Sequence, residues 1–355
     1  MPKTKKRAYD FFPLYEKFVR DSQSGKRLQP NGKRYSSGTV KNYSSTQKVL
    51  QGFCQAKSFV LRIFPEQALT KREAEREKNY WKKFHRRFTD YLYNDLGHFD
   101  NYVGATLKNV KTFFGYLQRE VGLVVGPYYK SFYVRKEEIA IFSLLPEELN
   151  YLIYDVSFER SLSKRMQEVK DVFVFGCTVA LRVSDLLRLK KSSIRVVNQQ
   201  HYLTVRSQKT ATYTLVKLPP YAISILRKYE KNKSSVLPLF NKSNLNQYIK
   251  QLLEKAGFTS PVAVYRERRG VPVLLRKRGV RFCDVVSTHT MRRTAITTML
   301  CLGMPEQVVR KISGHAPGTK EFYRYVFWAQ AYQDSESEKM FALLKEKKLQ
   351  TILPC

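Results

Sequence analysis

A chain of 355 residues with 64 Lys and Arg against 30 Asp and Glu carries a net charge of +34, and 43% of its residues are hydrophobic. That apolar share can build real cores, which excludes a disordered basic tail, and the length suits two domains. The charge divides as +16 over residues 1–135 and +18 over the remainder, so the expected partner is a long polyanion touched by both halves: double-stranded DNA first, an anionic membrane surface or the ribosome otherwise.

Five cysteines, Cys54, Cys177, Cys283, Cys301 and Cys355, are odd in number and far apart. They form no CxxC or Cys/His cluster, so no disulfide framework and no metal or other cofactor is expected. No apolar run approaches the roughly 18 residues of a membrane span, and the N-terminus lacks a signal-type apolar core. The expectation is a reduced, cytoplasmic protein, held at the nucleoid by its DNA.

Along the chain, Phe11 to Val121 reads as helical. "SSGTVKNYSSTQKVLQGF" offers Ser36 or Ser37 as a cap, followed by Val40, Tyr43, Val49, Leu50 and Phe53 at roughly helical spacing. Two further basic amphipathic runs are "YWKKFHRRFTDYLYNDLG" and "ATLKNVKTFFGYLQREVGL". Gly, Pro and Tyr then break the periodicity, which places a linker at 126–142 between a helical first domain, 1–125, and a second domain, 143–355. In the second, Pro146 and Glu147 open a helix with proline in its first turn and acids at its positive end. "VKDVFVFGCTVAL" is an apolar helix leading into "RVSDLLRL". "SIRVV", "YLTVRS" and "YTLVKLP" are strands of a small antiparallel sheet, joined by "NQQH" and "QKTA". Helices resume with "YAISILRKYEK" and "SNLNQYIKQLLEKAG". A basic stretch, "YRERRGVPVLLRKRGVRF", precedes the helical "STHTMRRTAITTMLCLG" and "PEQVVRKISG". The fold class is mainly α with a small antiparallel sheet.

Several residues in the second half fit structural roles singly and one chemical demand together. Arg182 ends a buried helix just before Ser184 and Asp185, either of which could cap the next helix. Lys209 sits in the turn between two strands. His289 and Arg292 are three apart near a helix start, which puts them on one face with Arg293 turned away. His315 follows Gly314 at a helix stop, and Tyr323 and Tyr325 come next in "EFYRYV". Breaking a DNA phosphodiester with a tyrosine requires cations that hold the non-bridging oxygens, and two guanidiniums do this in fixed geometry. A base must take the phenolic proton, for which a histidine suffices. An acid must protonate the leaving sugar oxygen, and a lysine on a hairpin can. The covalent phosphotyrosine conserves the bond energy, so rejoining needs neither nucleotide nor metal.

The ordered set "ALRVSDLL", the Lys209 hairpin, "HTMRRT", "SGH" and "FYRYV" resembles the tyrosine recombinase, or phage integrase, family, most closely in its cadence the integrases of bacterial mobile elements. The resemblance implies that Arg182 and Arg292 clamp the scissile phosphate with Asp185 bracing Arg182. It makes Lys209 the acid for the 5′-oxygen, His289 the base, and His315 the second phosphate contact. It implies a helical core-binding domain and an α+β catalytic domain closing as a C-shaped clamp on DNA. A homotetramer would be coupled by a C-terminal tail, with accessory DNA-bending or directionality factors possible in such systems. Many relatives place the nucleophile nine residues after the Gly-His histidine. Here Tyr323 stands at plus eight and Tyr325 at plus ten, and the "Arg-Tyr-branched apolar" pattern favours Tyr325 over the alternative Tyr323. In the basic stretch, Arg266, Arg268, Arg269, Arg276, Lys277 and Arg278 are expected to contact phosphates.

The rivals are a metal-dependent nuclease or transposase, a type IB topoisomerase sharing the chemistry, a relaxase, and a non-catalytic DNA-binding regulator on the same scaffold. The first would need clustered carboxylates, of which these motifs supply only Asp185. A relaxase would need a paired-histidine metal motif.

Overall fold

The computed structural model describes residues 8–206, 213–232, 235–275 and 279–352, with side chains as far as residue 343. Contacts divide it into two compact units: residues 1–139 with 265–275, and residues 140–264 with 276–355.

The first unit holds α1 (Phe11–Ser24), α2 (Ser37–Lys57), α3 (Lys71–Asp90) and α4 (Asp100–Arg119), with β1 (Tyr9–Asp10) pairing antiparallel to β2 (Arg62–Ile63). Ser36 caps α2, its hydroxyl accepting from Thr39 N–H at 3.2 Å. Thr70 and Glu73 close a capping box on α3. The core is aromatic: Phe11, Phe18, Phe53, Trp81, Phe84, Phe88, Phe113 and Phe114 are fully buried. The stretch expected to be linker supplies part of it. Residues Pro127–Ser131 form a short 3-10 helix, and Tyr128 stacks on Trp81 with centroids 5.3 Å apart. Apolar aromatic area outweighs the weak helical pattern there, and the division between units falls after Ile139.

The second unit is organised around α7. It holds α5 (Pro146–Tyr154), α6 (Val156–Ser161), α7 (Lys164–Val179) and α8 (Val183–Leu186), then the sheet β3 (Ile194–Val197), β4 (Gln200–Arg206), β5 (Tyr213–Lys217) in that order, all antiparallel. After it come α9 (Pro220–Lys228) and α10 (Lys242–Lys255). Every residue from Val169 to Ala180 is buried, as suits a helix apolar on all sides. Its interior charges are paired: Lys170 reaches Glu159 at 3.0 Å, and Asp171 accepts from Tyr229 and Lys228. Proline at the first turn of α5 follows the expected pattern.

Beyond α10 the chain forms β6 (Pro261–Val262), then the hairpin β7 (Tyr265–Arg268) and β8 (Val271–Leu274), then β9 (Val280–Arg281), which pairs with β6. The sequence places all of this in the second domain, yet 265–275 packs as part of the first unit. The reason is electrostatic. Arg269 and Gly270, the two-residue turn, both have positive φ (59° and 80°), which aims both amides at one point. The Asp100 carboxylate accepts those amides at 2.8 and 2.7 Å. Glu137, also buried, accepts two bonds from the Arg266 guanidinium at 2.6 and 3.0 Å and one from Glu267 N–H at 2.6 Å. The chain closes with α11 (Phe282–Val285), α12 (Thr288–Cys301), α13 (Glu306–Ser313) and α14 (Lys320–Ile352). The helical tail expected after Tyr325 is the continuation of α14, without interruption as far as Ile352. No helix among the described residues is long and apolar enough to cross a membrane.

Candidate active site

A close helix crossing and a helix cap place the site. α12 lies against α7 at Gly176, where a Cβ would stand 2.5 Å from Met291 Sδ and 3.1 Å from Leu186 Cδ2. Glycine there permits the close approach that brings the first turns of α12 to the end of α7. Ser287 caps α12, its hydroxyl accepting from His289 N–H at 3.2 Å.

Arg292 is buried. Its Nη1 donates to Ala180 O at 2.8 Å, its Nη2 to Ser313 O at 2.6 Å, and Nη2 lies 3.4 Å from His315 Nε2. Ala180 terminates α7 in the left-handed region (φ 54°), a conformation that costs a non-glycine residue about 1 kcal/mol and here presents its carbonyl to the arginine. The guanidinium is thus held by neutral oxygens. Burial first, and then the positive charge of Arg182, depress Arg292 to about 10, so it remains cationic at neutral pH.

His315 is placed by the end of α13. Gly314, left-handed at φ 65°, stops the helix, and His315 N–H returns to Arg310 O at 3.1 Å. Nδ1 of the ring lies 2.8 Å from Ser313 Oγ. Burial, then Arg292 and Arg182, push its pKa down to about 4, so the ring is neutral at pH 7. His289 is more exposed, and its pKa is lowered by partial desolvation and then by Arg293, Lys242, Arg292 and Arg182. Arg182 is the N-cap residue of α8, which has no side-chain cap bond, so neither Ser184 nor Asp185 serves as the expected cap. Asp185 is buried, and its charge, like that of Arg182, is felt at Arg292.

The two tyrosines part company. Tyr325 packs inward beside His315 and Phe322, ring centroids 6.0 and 6.4 Å apart, against a small core of Ala295, Ile296, Leu300 and Val309. Tyr323 is 41% exposed, and the Arg310 guanidinium lies over its ring at 5.0 Å. The structure therefore gathers Arg182, His289, Arg292, His315 and Tyr325 around one cationic centre. Lys209 lies outside the described residues, as do Arg276, Lys277 and Arg278. Arg266, Arg268 and Arg269 are in the first unit, where Arg266 pairs with Glu137, Arg268 donates to Gly97 O at 2.9 Å and Arg269 to Asp90 at 2.7 Å. Two contributors lay inside the quoted motifs without being assigned a role: the left-handed Ala180 of "ALRVSDLL" and the helix-end Ser313 of "SGH".

Residues 153–326 match the model of the phage integrase family. This segment belongs to that family. Solved structures similar to the chain agree with the fold of a phage integrase. A lambda integrase(75-356) dimer bound to a COC' core site is 14% identical, covering 90% of this chain and 95% of that one, with a TM-score of 0.58. XerH site-specific recombinase bound to palindromic difH substrate, in a post-cleavage complex, is 12% identical over 92% and 95%, at 0.55. The Tn1549 transposon integrase in complex with circular intermediate DNA is 14% identical over 89% and 95%, at 0.52. No curated protein matches the sequence. The mainly helical fold with small antiparallel sheets is that of the tyrosine recombinases.

Proposed function

We propose that this phage integrase family protein is a site-specific DNA recombinase that cleaves and rejoins double-stranded DNA through a covalent 3′-phosphotyrosine. The observation that carries the reading is the cationic centre itself: a buried Arg292 held by two carbonyl oxygens beside a neutral His315, with Arg182 near enough to repel it and Tyr325 alongside. A buried guanidinium costs desolvation energy that an anion recovers, and a phosphate diester fits it.

In this reading Arg182 and Arg292 hold the non-bridging oxygens, and Asp185 braces the first. Tyr325 Oη attacks phosphorus as His289 takes its proton. The bond to the 5′-oxygen breaks, and that oxygen leaves with a proton from Lys209. Return attack by a 5′-hydroxyl, from the same or an exchanged strand, releases Tyr325. His315 Nε2–H supports the charge that grows on the phosphate, and positioned donors of this kind are each worth on the order of 3 kcal/mol. Solved relatives described as dimers and tetramers on DNA support assembly on the substrate, and the exposed Phe327, Phe341 and Leu343 of α14 suit a tail that packs on a neighbour. Arg276, Lys277 and Arg278 are assigned to the DNA backbone.

The test is a suicide substrate nicked near the cleavage point, made from DNA flanking the gene and incubated in EDTA with wild type, Tyr325→Phe and Tyr323→Phe. The expected result is a covalent protein–DNA band lost in Tyr325→Phe alone. Loss in Tyr323→Phe alone moves the nucleophile. DNA binding without any band in wild type favours a binding protein, and site-independent relaxation of supercoiled plasmid favours a topoisomerase.

A further inference from the structure

The hydrogen bonds around His315 form a directed chain. Arginine can only donate, so the 3.4 Å approach of Arg292 Nη2 leaves the lone pair on Nε2 of the imidazole. A neutral ring then carries its proton on Nδ1, which donates to Ser313 Oγ at 2.8 Å. The Ser313 hydroxyl in turn donates to Arg310 O at 3.3 Å. Ser313 is 2% exposed, and its carbonyl is the same one that holds Arg292. One residue thus contacts both groups assigned to the phosphate, through different atoms.

This arrangement conflicts with the function proposed above, on which the following step rests. A phosphate oxygen only accepts, so His315 must present Nε2–H to it, the opposite of the form that the Arg292 contact favours. A carbonyl or an amide N–H beside Nδ1 would lock the ring into one form. A hydroxyl serves both, because it can accept from Nδ1–H or rotate and donate to bare Nδ1. We infer that Ser313 is a positioning residue whose hydroxyl reverses direction, letting His315 accept from Arg292 before DNA binds and donate to the scissile phosphate afterwards. The balance is one proton released to solvent from Nδ1 and one taken up at Nε2, with the ring neutral before and after. When Arg292 turns its Nη2–H to the phosphate, Nε2 loses its donor and the exchange becomes favourable.

The experiment follows the histidine ring nitrogens by NMR in full-length protein labelled with ¹⁵N-histidine, the His315 signals being those missing in His315→Gln. Free wild type is expected in the Nδ1–H form. Bound to the nicked DNA, with Tyr325→Phe to halt chemistry, it is expected in the Nε2–H form. Ser313→Ala should give a mixed tautomer in the free protein and a cleavage rate lower by on the order of tenfold, with Ser313→Thr restoring both. An unchanged tautomer in DNA-bound protein overturns the reversal. So does Ser313→Ala that keeps the wild-type tautomer and cleaves within about twofold of wild type. If wild type traps no DNA, the recombinase reading falls, while the free-protein spectra of wild type and Ser313→Ala still decide whether Ser313 sets the ring.

Discussion

Two arginines in this molecule are treated in opposite ways. Arg266, on the hairpin, meets the buried carboxylate of Glu137 in a two-pronged bond and is neutralised where it stands. Arg292, deeper in the second unit, is bonded to carbonyls and an imidazole, with Arg182 adding positive charge. The first is a finished ion pair whose value is to the fold. The second is hydrogen-bonded to neutral groups, which leaves its charge to the phosphate proposed for it. The basic composition alone makes the two look alike, and it is the partner that separates them.

The largest expected effect breaks the second arrangement. Arg292→Lys keeps the charge but loses the planar fork, and covalent trapping of DNA should fall by about 10³-fold with a melting temperature close to wild type. Arg266→Ala should do the reverse. It leaves Glu137 buried and uncompensated, at a cost of about 3 kcal/mol, read as a lowered denaturation midpoint while single-turnover cleavage by the folded fraction persists. Should both variants lose activity at unchanged stability, the distinction between the two arginines is wrong.

Two pH effects sharpen the same contrast. Burial alone would raise Glu137, but the bonds from Arg266, Glu267 N–H and Asn101 N–H outweigh it and hold its pKa below the ordinary carboxylate value. Its contribution to stability is present above about pH 4.5 and is lost as the pH falls through the lower folded value. His315 also has a depressed pKa, but as a base its effect starts at higher pH. Below about pH 6.5 the unfolded chain takes a proton that the folded ring refuses, so stability falls with pH until the folded ring titrates at about 4. A bound phosphate raises that pKa, so DNA binding should take up protons in this window. Calorimetry in buffers of different ionisation heat should show the uptake, and His315→Gln should lack the part due to His315.

Smaller effects test the scaffold beneath Arg292. Gly176→Ala forces α12 away from α7 at Met291 and should cost about 1–3 kcal/mol, with cleavage reduced as Arg292 shifts. Ala180→Gly relieves a left-handed alanine and should change stability by less than about 1 kcal/mol.

How far this was legible depends on the range of the interactions. The helices were readable because their signals are local: Ser36 before an apolar periodicity, Pro146 with acids behind it. In the candidate site, the placement of residues was readable where it rests on spacing, as in His289 and Arg292 one turn apart or His315 after a helix-stopping glycine. The hairpin was not. Its turn is Arg-Gly, its strands are broken by a proline, and its stabilising carboxylates, Asp100 and Glu137, lie far back in the chain. A positive φ at Arg269 or Ala180 leaves no mark in composition, because what fixes it is a partner elsewhere. Ser313 stands in the quoted "SGH", but its contacts to Arg292 and His315 depend on the fold and not on that motif.

The hairpin has a consequence in time. The first unit is complete only when residues 265–275 reach it, and Arg266 follows Glu137 by 129 positions. At ordinary elongation rates that interval is roughly 6–26 s, during which Asp100 and Glu137 exist on the nascent chain without their partners. The N-terminal helices can collapse on their aromatic core in that time, but their final closure waits for a segment made after most of the second unit's sheet and helices. A ribosome stalled before residue 265 would therefore carry an N-terminal unit open to protease near Glu137, and one stalled well beyond residue 275 would not.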